Sequence, residues 1–365
     1  MALPLDPRLA DTMLSFVSVF DSLFYLQLEP SPLPLNSLFI KVKYVSPFIL
    51  VIDHLPFPAP EDAQVLLYDE AGQLINKVGE YGTGIGQYRQ IRDAYFSPEG
   101  TEIWLFPDDP AYLLRFSLPE ARFISAVKLP ENIPYQQVAP FDSTSLLFGN
   151  TFQPNFNGEP AHHFYRWNWR DPDNMHAFVP FHPPIHHEIP VQGRTGFYPG
   201  KEFTWATLAN HPAIYQFDHQ EGIFSTFPLD FSPGRFEQEF LYPDLSPETK
   251  ERACCFSTFI VQENFALGDF RYGKDWTSQR FLFHRPRQRL FQFPTGSPLA
   301  PFTPLSQVLG HGSSHLILGF GMDDYDPSLA ELSRLTPVYR QAWQKTIARI
   351  DPHGGPVLAI MRVQE

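Results

Sequence analysis

The sequence has few cysteines and no long hydrophobic run, which limits the disulfide bonds and the membrane-spanning helices that the protein can form. Its two cysteines, Cys254 and Cys255, are adjacent, so a bridge between them would close a strained ring, and neither has another partner in the chain. The cysteines therefore do not indicate a redox compartment. The longest uncharged apolar stretches, such as residues 44–52, are far shorter than the ~20 residues that a membrane-spanning helix needs. We expect no transmembrane segment.

Basic residues are also scarce. The chain has 27 Lys and Arg against 40 Asp and Glu, which gives a formal net charge of -13. No block of Lys or Arg offsets this balance locally, and an acidic surface repels phosphate backbones. Nucleic acid is therefore not an expected partner.

The first residues lack the pattern of a signal peptide. Such a peptide begins with a basic region followed by an apolar stretch, whereas this chain begins Met-Ala-Leu-Pro-Leu-Asp, with Asp6 where the apolar stretch should be. The sequence as printed therefore predicts no leader, unless one has been removed.

Aromatic residues and prolines, in contrast, are abundant. The 35 Phe, 15 Tyr and 38 Pro favour half-buried strands separated by many turns. At 365 residues the chain exceeds the usual length of one domain, roughly 150 residues, but closed all-β architectures often exceed it as one unit. We therefore predict a single all-β domain.

A repeat of roughly 35 to 45 residues recurs along the chain, each copy having the length of one four-stranded propeller blade. The clearest copy covers residues 91–129. Within it, residues 93–96 and 101–106 have the composition of strands, and Ser97-Pro-Glu-Gly100 between them has that of a turn. Two further strands follow at 112–117 and 122–129.

The repeats predict an all-β, six-bladed β-propeller that occupies residues 1–365 as one domain. An N-terminal segment, 1–37, contains a strand at about 23–28 that is free to complete the last blade and close the ring. A helix at about 328–350, interrupted by Pro337, is inserted in the last blade. The blades are expected at about 38–79, 90–130, 136–180, 196–231, 256–294 and 302–364.

Four segments resemble a known family. They are residues 14–29, the Gly-rich link 78–88 with the following Ile91-Arg-Asp93, residues 213–231 and residues 351–363. These are similar to the six-bladed, NHL-like β-propellers that are abundant as exported or lipid-anchored proteins in Bacteroidetes-type bacteria. The resemblance implies a periplasmic or cell-surface protein and carries no catalytic residues. Two features depart from the family: the lipoprotein leader is missing, which leaves a cytoplasmic location as the alternative, and His353-Gly-Gly355 replaces the expected Asn-Pro.

Three short motifs superficially suggest chemistry. Gly82-Thr-Gly-Ile-Gly86 has neither the G-x-G-x-x-G spacing nor the following helix of a dinucleotide site, so we interpret it as a turn between blades. Gly310-His-Gly-Ser-Ser-His315 lacks the spacing and context of a nucleophile elbow. The acidic segment 322–326 lacks the twelve-residue pattern of a calcium loop.

Histidines occur in pairs and clusters that a propeller could bring together around its axis. His163, His187, His311 and His315 are the candidate metal ligands, because neutral imidazole is a common ligand. None of them lies in a helical H-E-x-x-H motif, and we predict no cofactor beyond this candidate divalent metal.

Aromatic and charged residues supply the candidate binding residues. Residues 165–170 alternate, which places Trp167 with two other aromatics on one strand face and Arg166 on the other. These residues either pack between blades or form a stacking platform for a sugar or peptide. Tyr88, Arg92, Asp93 and His311 are candidates to line one end of the ring. The alternative for Arg92 and Asp93 is a neutralising ion pair with each other or an ion pair between blades.

These observations predict a non-catalytic, monomeric propeller that acts in binding, sensing or scaffolding, with a glycan or a protein as its ligand. The first alternative is a metal-assisted lyase or hydrolase that acts on an extracellular polymer. The second is a purely structural protein. The fold does not decide among them, because propellers host unrelated activities.

Overall fold

The computed structural model describes residues 3–4, 20–31, 33, 35, 40–53, 63–109, 111–131, 135, 137–150, 162–180, 196–200, 202–208, 213–220, 224–230, 254–272, 277–292, 307–311, 315–320, 351 and 355–363. These residues form strands and turns, and no helix occurs among them. The helix predicted at 328–350 lies outside the described residues. Within them, no helix has the length and apolar character to cross a membrane.

The described strands are short, and they are numbered in chain order. From the N-terminus to residue 128 they are β1 (Leu3–Pro4), β2 (Phe20–Gln27), β3 (Ile40–Val45), β4 (Phe48–Asp53), β5 (Gln64–Asp69), β6 (Leu74–Lys77), β7 (Glu80–Tyr81), β8 (Gln87–Tyr88), β9 (Gln90–Phe96), β10 (Glu102–Asp109), β11 (Tyr112–Ser117) and β12 (Phe123–Lys128). The later strands are β13 (Gln137–Pro140), β14 (Ser145–Gly149), β15 (His162–Asn168), β16 (Asp171–Pro180), β17 (Gly196–Pro199), β18 (Phe203–Thr207), β19 (Ala213–Asp218), β20 (Phe224–Asp230), β21 (Cys254–Val261), β22 (Phe265–Tyr272), β23 (Thr277–His284), β24 (Arg289–Gln292), β25 (Gln307–His311), β26 (His315–Phe320) and β27 (Val357–Val363).

The strands divide between two compact units. One unit, formed by residues 20–129 and 296–364, contains the four-stranded sheet β9 to β12 and an eight-stranded sheet in the order β2-β27-β26-β25-β3-β4-β5-β6. The eight-stranded sheet consists of two antiparallel groups of four, joined by a short parallel pairing of β25 with β3. The N-terminal strand β2 pairs with β27 along its length, so both ends of the chain contribute to one group.

The other unit, formed by residues 1–19 and 130–295, contains three antiparallel groups of four strands. These groups are β13 to β16, β17 to β20 and β21 to β24, and the two-residue strand β1 adds a parallel pairing to β20. Aromatic side chains pack between the first two of these sheets. The ring of Phe164 in β15 lies 5.2 Å from that of Tyr215 and 5.3 Å from that of Phe217, both in β19.

In the unit that contains β3, burial follows the side-chain pattern of each strand. The central strands β4 and β5 are apolar almost throughout and nearly fully buried, whereas β3 alternates. Ile40 and Val42 of β3 enter an apolar cluster with β2, β4, β26 and β27, while Lys41 and Lys43 are only half buried. Successive side chains of a strand point to opposite faces, so the lysines share the other face of β3.

A second apolar cluster joins β4 and β5 to the sheet that begins with β9. It includes Leu50, Val65, Ile91, Ala94 and Leu105, all of which are buried. These contacts hold β9 beside β3 and β4, and the rigid strands fix the positions of the side chains described next.

Candidate functional site

Two irregularities in the pairing of β9 with β10 leave Arg92 and Asp108 outside the regular ladder. Phe106 and Pro107 of β10 pair with Asp93 and Ile91 of β9, which leaves Arg92 as an extra residue, and the next step leaves Asp108 as an extra residue on β10. Pro107 has no N–H with which to continue the ladder. The two extra residues form an ion pair with each other, from Arg92 Nε to Asp108 Oδ1.

The displaced backbone directs the carboxylate of Asp93 towards β3. Its Oδ2 lies 3.1 Å from Lys41 Nζ and accepts a hydrogen bond from the Tyr95 hydroxyl at 3.1 Å. Its Oδ1 accepts the backbone N–H of Ala94 at 2.9 Å and lies 3.9 Å from Lys43 Nζ. Bulges commonly redirect a side chain in this way near functional sites. We call Lys41, Lys43, Arg92, Asp93, Tyr95 and Asp108 the Lys–Asp cluster.

The two lysines have different surroundings. Lys41 donates to the carbonyl of Arg92 at 2.9 Å in addition to pairing with Asp93. Lys43 has no acceptor within hydrogen-bond distance among the described residues; its ammonium lies 4.4 Å from the centre of the Tyr95 ring, a cation–π contact. The side chain of Lys43 remains 14% exposed and that of Asp93 4%.

The electrostatics of the cluster favour a charged Asp93 and disfavour a charged Lys43. Burial alone would raise the pKa of Asp93, but the positive charges of Lys41 and Lys43, with hydrogen bonds from Lys41 and Ala94, lower it. Burial lowers the pKa of Lys43; Asp93 counteracts this shift and Lys41 adds to it. An oxyanion placed beside Lys43 would therefore stabilise a charge that the fold disfavours.

Arg92 and Asp93, two of the residues predicted from the sequence, both belong to this cluster. They do not pair with each other: Arg92 pairs with Asp108, and Asp93 pairs with two lysines of another sheet, which is the second form of the alternative interpretation, an ion pair between blades. Tyr88, at the end of the Gly-rich link, is fully buried in the apolar cluster that joins β4, β5 and β9. Its ring is thus surrounded by protein.

Arg166 and Trp167 lie in β15, in the other unit. Trp167 is only 3% exposed and donates its indole N–H to the carbonyl of Pro172 at 3.2 Å. Arg166 pairs with Asp142 at 3.1 Å and lies 4.5 Å above the Phe141 ring. The opposite faces predicted for these two residues agree with their different burial, because Arg166 is half buried and Trp167 is buried.

The candidate metal ligands lie in separate settings. His163 is buried in β15, with Nδ1 3.1 Å from the carbonyl oxygen of Asn150. His315 begins β26, and its ring lies 4.8 Å from that of Tyr44. His311 ends β25, where its backbone pairs with Lys43 of β3, and His187 lies outside the described residues. No three His, Cys, Asp or Glu side chains in the described part of the chain are placed to hold one metal ion.

Sequence reasoning missed four members of the cluster, Lys41, Lys43, Tyr95 and Asp108; the two lysines are the ones for which the sequence carried a signal. A usable signal was present, because Ile40-Lys-Val-Lys-Tyr-Val45 alternates and so places both lysines on one face of a strand. Their carboxylate partner is about fifty positions away on another sheet, so the local pattern did not indicate what they would pair with.

A family model described as a 6-bladed beta-propeller, DUF5128, matches residues 9–229. This match and the groups of four strands confirm the prediction of an all-β, six-bladed β-propeller; the NHL-like subtype stays a prediction. No match was found among the curated proteins.

Two solved structures have a similar fold over nearly the whole chain. A candidate exported protein from Bacteroides fragilis has a TM-score of 0.72 at 12% sequence identity, with 100% of both chains covered. A member of the duf4221 family from Bacteroides vulgatus has a TM-score of 0.55 at 8% identity and covers 95% of this chain and 97% of its own. At such identities the likeness concerns the fold alone.

Proposed function

Because the chain belongs to the DUF5128 family of six-bladed β-propellers, we propose that it is a non-catalytic binding, sensing or scaffold protein that recognises a glycan or protein ligand at one end of the ring. The fold is consistent with a binding or scaffold role. Because one fold can carry unrelated functions, the case for recognition is made from the site. The Lys–Asp cluster is the proposed recognition site, and no catalytic group is assigned.

The observation that supports this site is a set of charged side chains held on rigid strands and still partly open to solvent. Lys41 and Arg92 keep 22% and 25% of their side-chain surface exposed, although both make ion pairs. Polar groups fixed on strands are better preorganised for recognition than groups on loops. The cluster thus has both the access and the rigidity that binding requires.

A periplasmic or cell-surface location forms part of the proposal. It is supported by the similar fold of the Bacteroides fragilis protein, which is itself described as a candidate exported protein. Cell fractionation of a bacterium that expresses the full-length natural gene tests this location. Recovery of the protein with the cytoplasmic markers would contradict it.

The function is tested with purified protein on an array of neutral and acidic oligosaccharides and, in parallel, immobilised cell-surface proteins. We expect saturable binding to at least one ligand, weakened when Lys43 and Arg92 are both replaced by Met. Lys77→Met is the matched control and should leave binding unchanged, because Lys77 pairs with Glu80 and belongs to no candidate site. Shortened products from any polymer would contradict a non-catalytic role, and absence of binding to the whole panel would contradict recognition.

A further inference from the structure

The charges in the Lys–Asp cluster do not balance. Arg92 is paired with Asp108, which leaves Lys41 and Lys43 to share the single carboxylate of Asp93. Lys41 takes the closer position, at 3.1 Å, while Lys43 stays 3.9 Å from the carboxylate. Among the described side chains of the cluster, three cations therefore meet two carboxylates, which leaves one positive charge without a carboxylate of its own, on a protein whose formal net charge is -13.

The uncompensated charge is on Lys43, whose ammonium has three N–H donors. Among the described residues none of these donors has an acceptor within hydrogen-bond distance: Asp93 Oδ1 lies 3.9 Å from the ammonium, and the centre of the Tyr95 ring lies 4.4 Å from it. A largely buried donor without a partner is costly to the fold. A bound ligand that supplies the missing acceptor would offset this cost.

The remaining access to Lys43 is narrow. Only 14% of its side-chain surface is exposed, and the Tyr95 ring that lies beneath its ammonium is itself buried. So small an exposed fraction suits contact with a single projecting group better than contact with a broad flat surface. A group with two or three oxygens that share a negative charge would give Lys43 short, charge-assisted hydrogen bonds.

From the imbalance, the unsatisfied donors and the narrow access, we infer that Lys43 forms a subsite for an oxyanionic group, a carboxylate or sulfate, with Asp93 and Lys41 holding it in position. This inference rests on the proposed function and specifies one chemical feature of its ligand. Such a group comes either from a free anion or from a sugar that carries it. Asp93 is a positioning residue, because its carboxylate pairs with both lysines and holds them in place. Lys41 neutralises the charge of this carboxylate, which would otherwise repel an anionic ligand.

The inference is tested by titrating isotopically labelled protein with glucuronate, inorganic sulfate and glucose while following the backbone amides of β3 by NMR. We expect glucuronate to shift these amides saturably and glucose to leave them unchanged. Lys43→Met should weaken glucuronate binding at least about ten-fold, the usual scale for a lost charge-assisted hydrogen bond. Lys77→Met is the matched control, because Lys77 is a partly exposed lysine that pairs with Glu80 and is not a member of the cluster; it should bind as the wild type does.

Lys43→Arg keeps the charge and should retain part of the affinity, which separates a role in binding from a role in folding. Saturable binding of sulfate but not glucuronate would assign the subsite to a free anion; binding of glucuronate would assign it to a sugar acid. Glucuronate binding that Lys43→Met leaves intact, or no binding of either anion, would overturn the inference. If the wild type binds a neutral glycan on the array and Lys43→Met does so equally, the proposed function stands and only the subsite fails.

Discussion

Two ion-pair clusters, one in each unit, differ in how well their charges are matched. In the sheet β13 to β16, Arg166 has one carboxylate, Asp142, and also packs on the ring of Phe141. In the Lys–Asp cluster, two lysines share Asp93, and one of them has no hydrogen-bond acceptor among the described residues. A matched cation and anion need nothing further, whereas an unmatched cation leaves capacity for a ligand. Charge balance therefore separates a structural cluster from a candidate site better than residue type does.

The largest effect is expected from Asp93→Asn. This change leaves Lys41 and Lys43 close together without a counter-charge. It also replaces one of the two oxygens that accept from the Tyr95 hydroxyl and the Ala94 N–H with an NH2 donor. We expect the free energy of unfolding at pH 7 to fall by about 3 kcal/mol, the lower end of the range for breaking a buried ion pair. Chemical denaturation measures it, and Asp142→Asn, with an expected loss of about 1 kcal/mol, is the control from the other cluster. Equal losses in the two variants would remove the distinction between the clusters.

The second-largest effect is expected in the pH dependence of the stability difference between the wild type and Asp93→Asn. The pKa of Asp93 is lowered in the folded protein by Lys41 and Lys43 despite its burial, so its charge stabilises the fold above the unfolded pKa of about 3.9. This contribution is lost as the pH falls through the folded pKa. We expect the stability gap between wild type and Asp93→Asn to be constant from pH 7 to pH 5 and to shrink below about pH 4. Denaturation curves at pH 7, 5 and 3 measure the gap, and one that stays constant at pH 3 would show that Asp93 does not act through its charge.

A smaller loss is expected from Arg166→Met. The substitution removes the ion pair with Asp142 and the contact of the guanidinium with Phe141, both of which are partly solvated. The free energy of unfolding should fall by about 1 kcal/mol. Arg170→Met, at an exposed position in the same unit, should change it by less than about 0.5 kcal/mol and serves as the control. Indistinguishable effects of the two substitutions would mean that the pair contributes nothing measurable.

The smallest effect on the free energy of unfolding is expected from Lys43→Met in the absence of ligand. Unlike the other substitutions, it is not expected to destabilise the protein. Burial lowers the pKa of Lys43, which means that the fold disfavours its charge. Replacing it with an uncharged side chain of similar length should leave the free energy of unfolding unchanged or raise it by about 0.5 kcal/mol. Thermal and chemical unfolding of this variant beside Arg166→Met makes the comparison direct. A loss as large as that of Arg166→Met would show that Lys43 is a structural cation.

The sheet β9 to β12 was predictable in detail because its sequence signals are local. Ser97-Pro-Glu-Gly100 forms the predicted turn, in which the Gly100 N–H donates to the Ser97 carbonyl at 2.8 Å, and Gly100 has a φ of 68° that suits glycine. The flanking strands β9 and β10 were predicted within a few residues of their bounds. Composition, alternation and turn chemistry act over a few residues, so they are visible in the sequence.

The candidate site was predictable only in part. Arg92 and Asp93 were identified beside the Gly-rich link, but the sequence did not indicate which partner each would take. Alternation in residues 165–170 correctly separated Trp167 from Arg166, yet it did not show that Trp167 would be covered by its neighbours. Partner choice depends on sheet packing and on the β9–β10 irregularities, and neither is encoded in a local pattern.

The sequence by itself determined the all-β fold, the repeat of four-stranded groups and the placing of Lys41 and Lys43 on one face of a strand, because backbone geometry and turn preferences act locally. Only the tertiary structure decided that this face meets Asp93. The apolar cluster that joins β4 and β5 to β9 brings the two strands together, and the extra residue at Arg92 aims the carboxylate at the lysines. The unmatched charge of Lys43 follows from that packing, since it exists only when residues about fifty positions apart lie side by side.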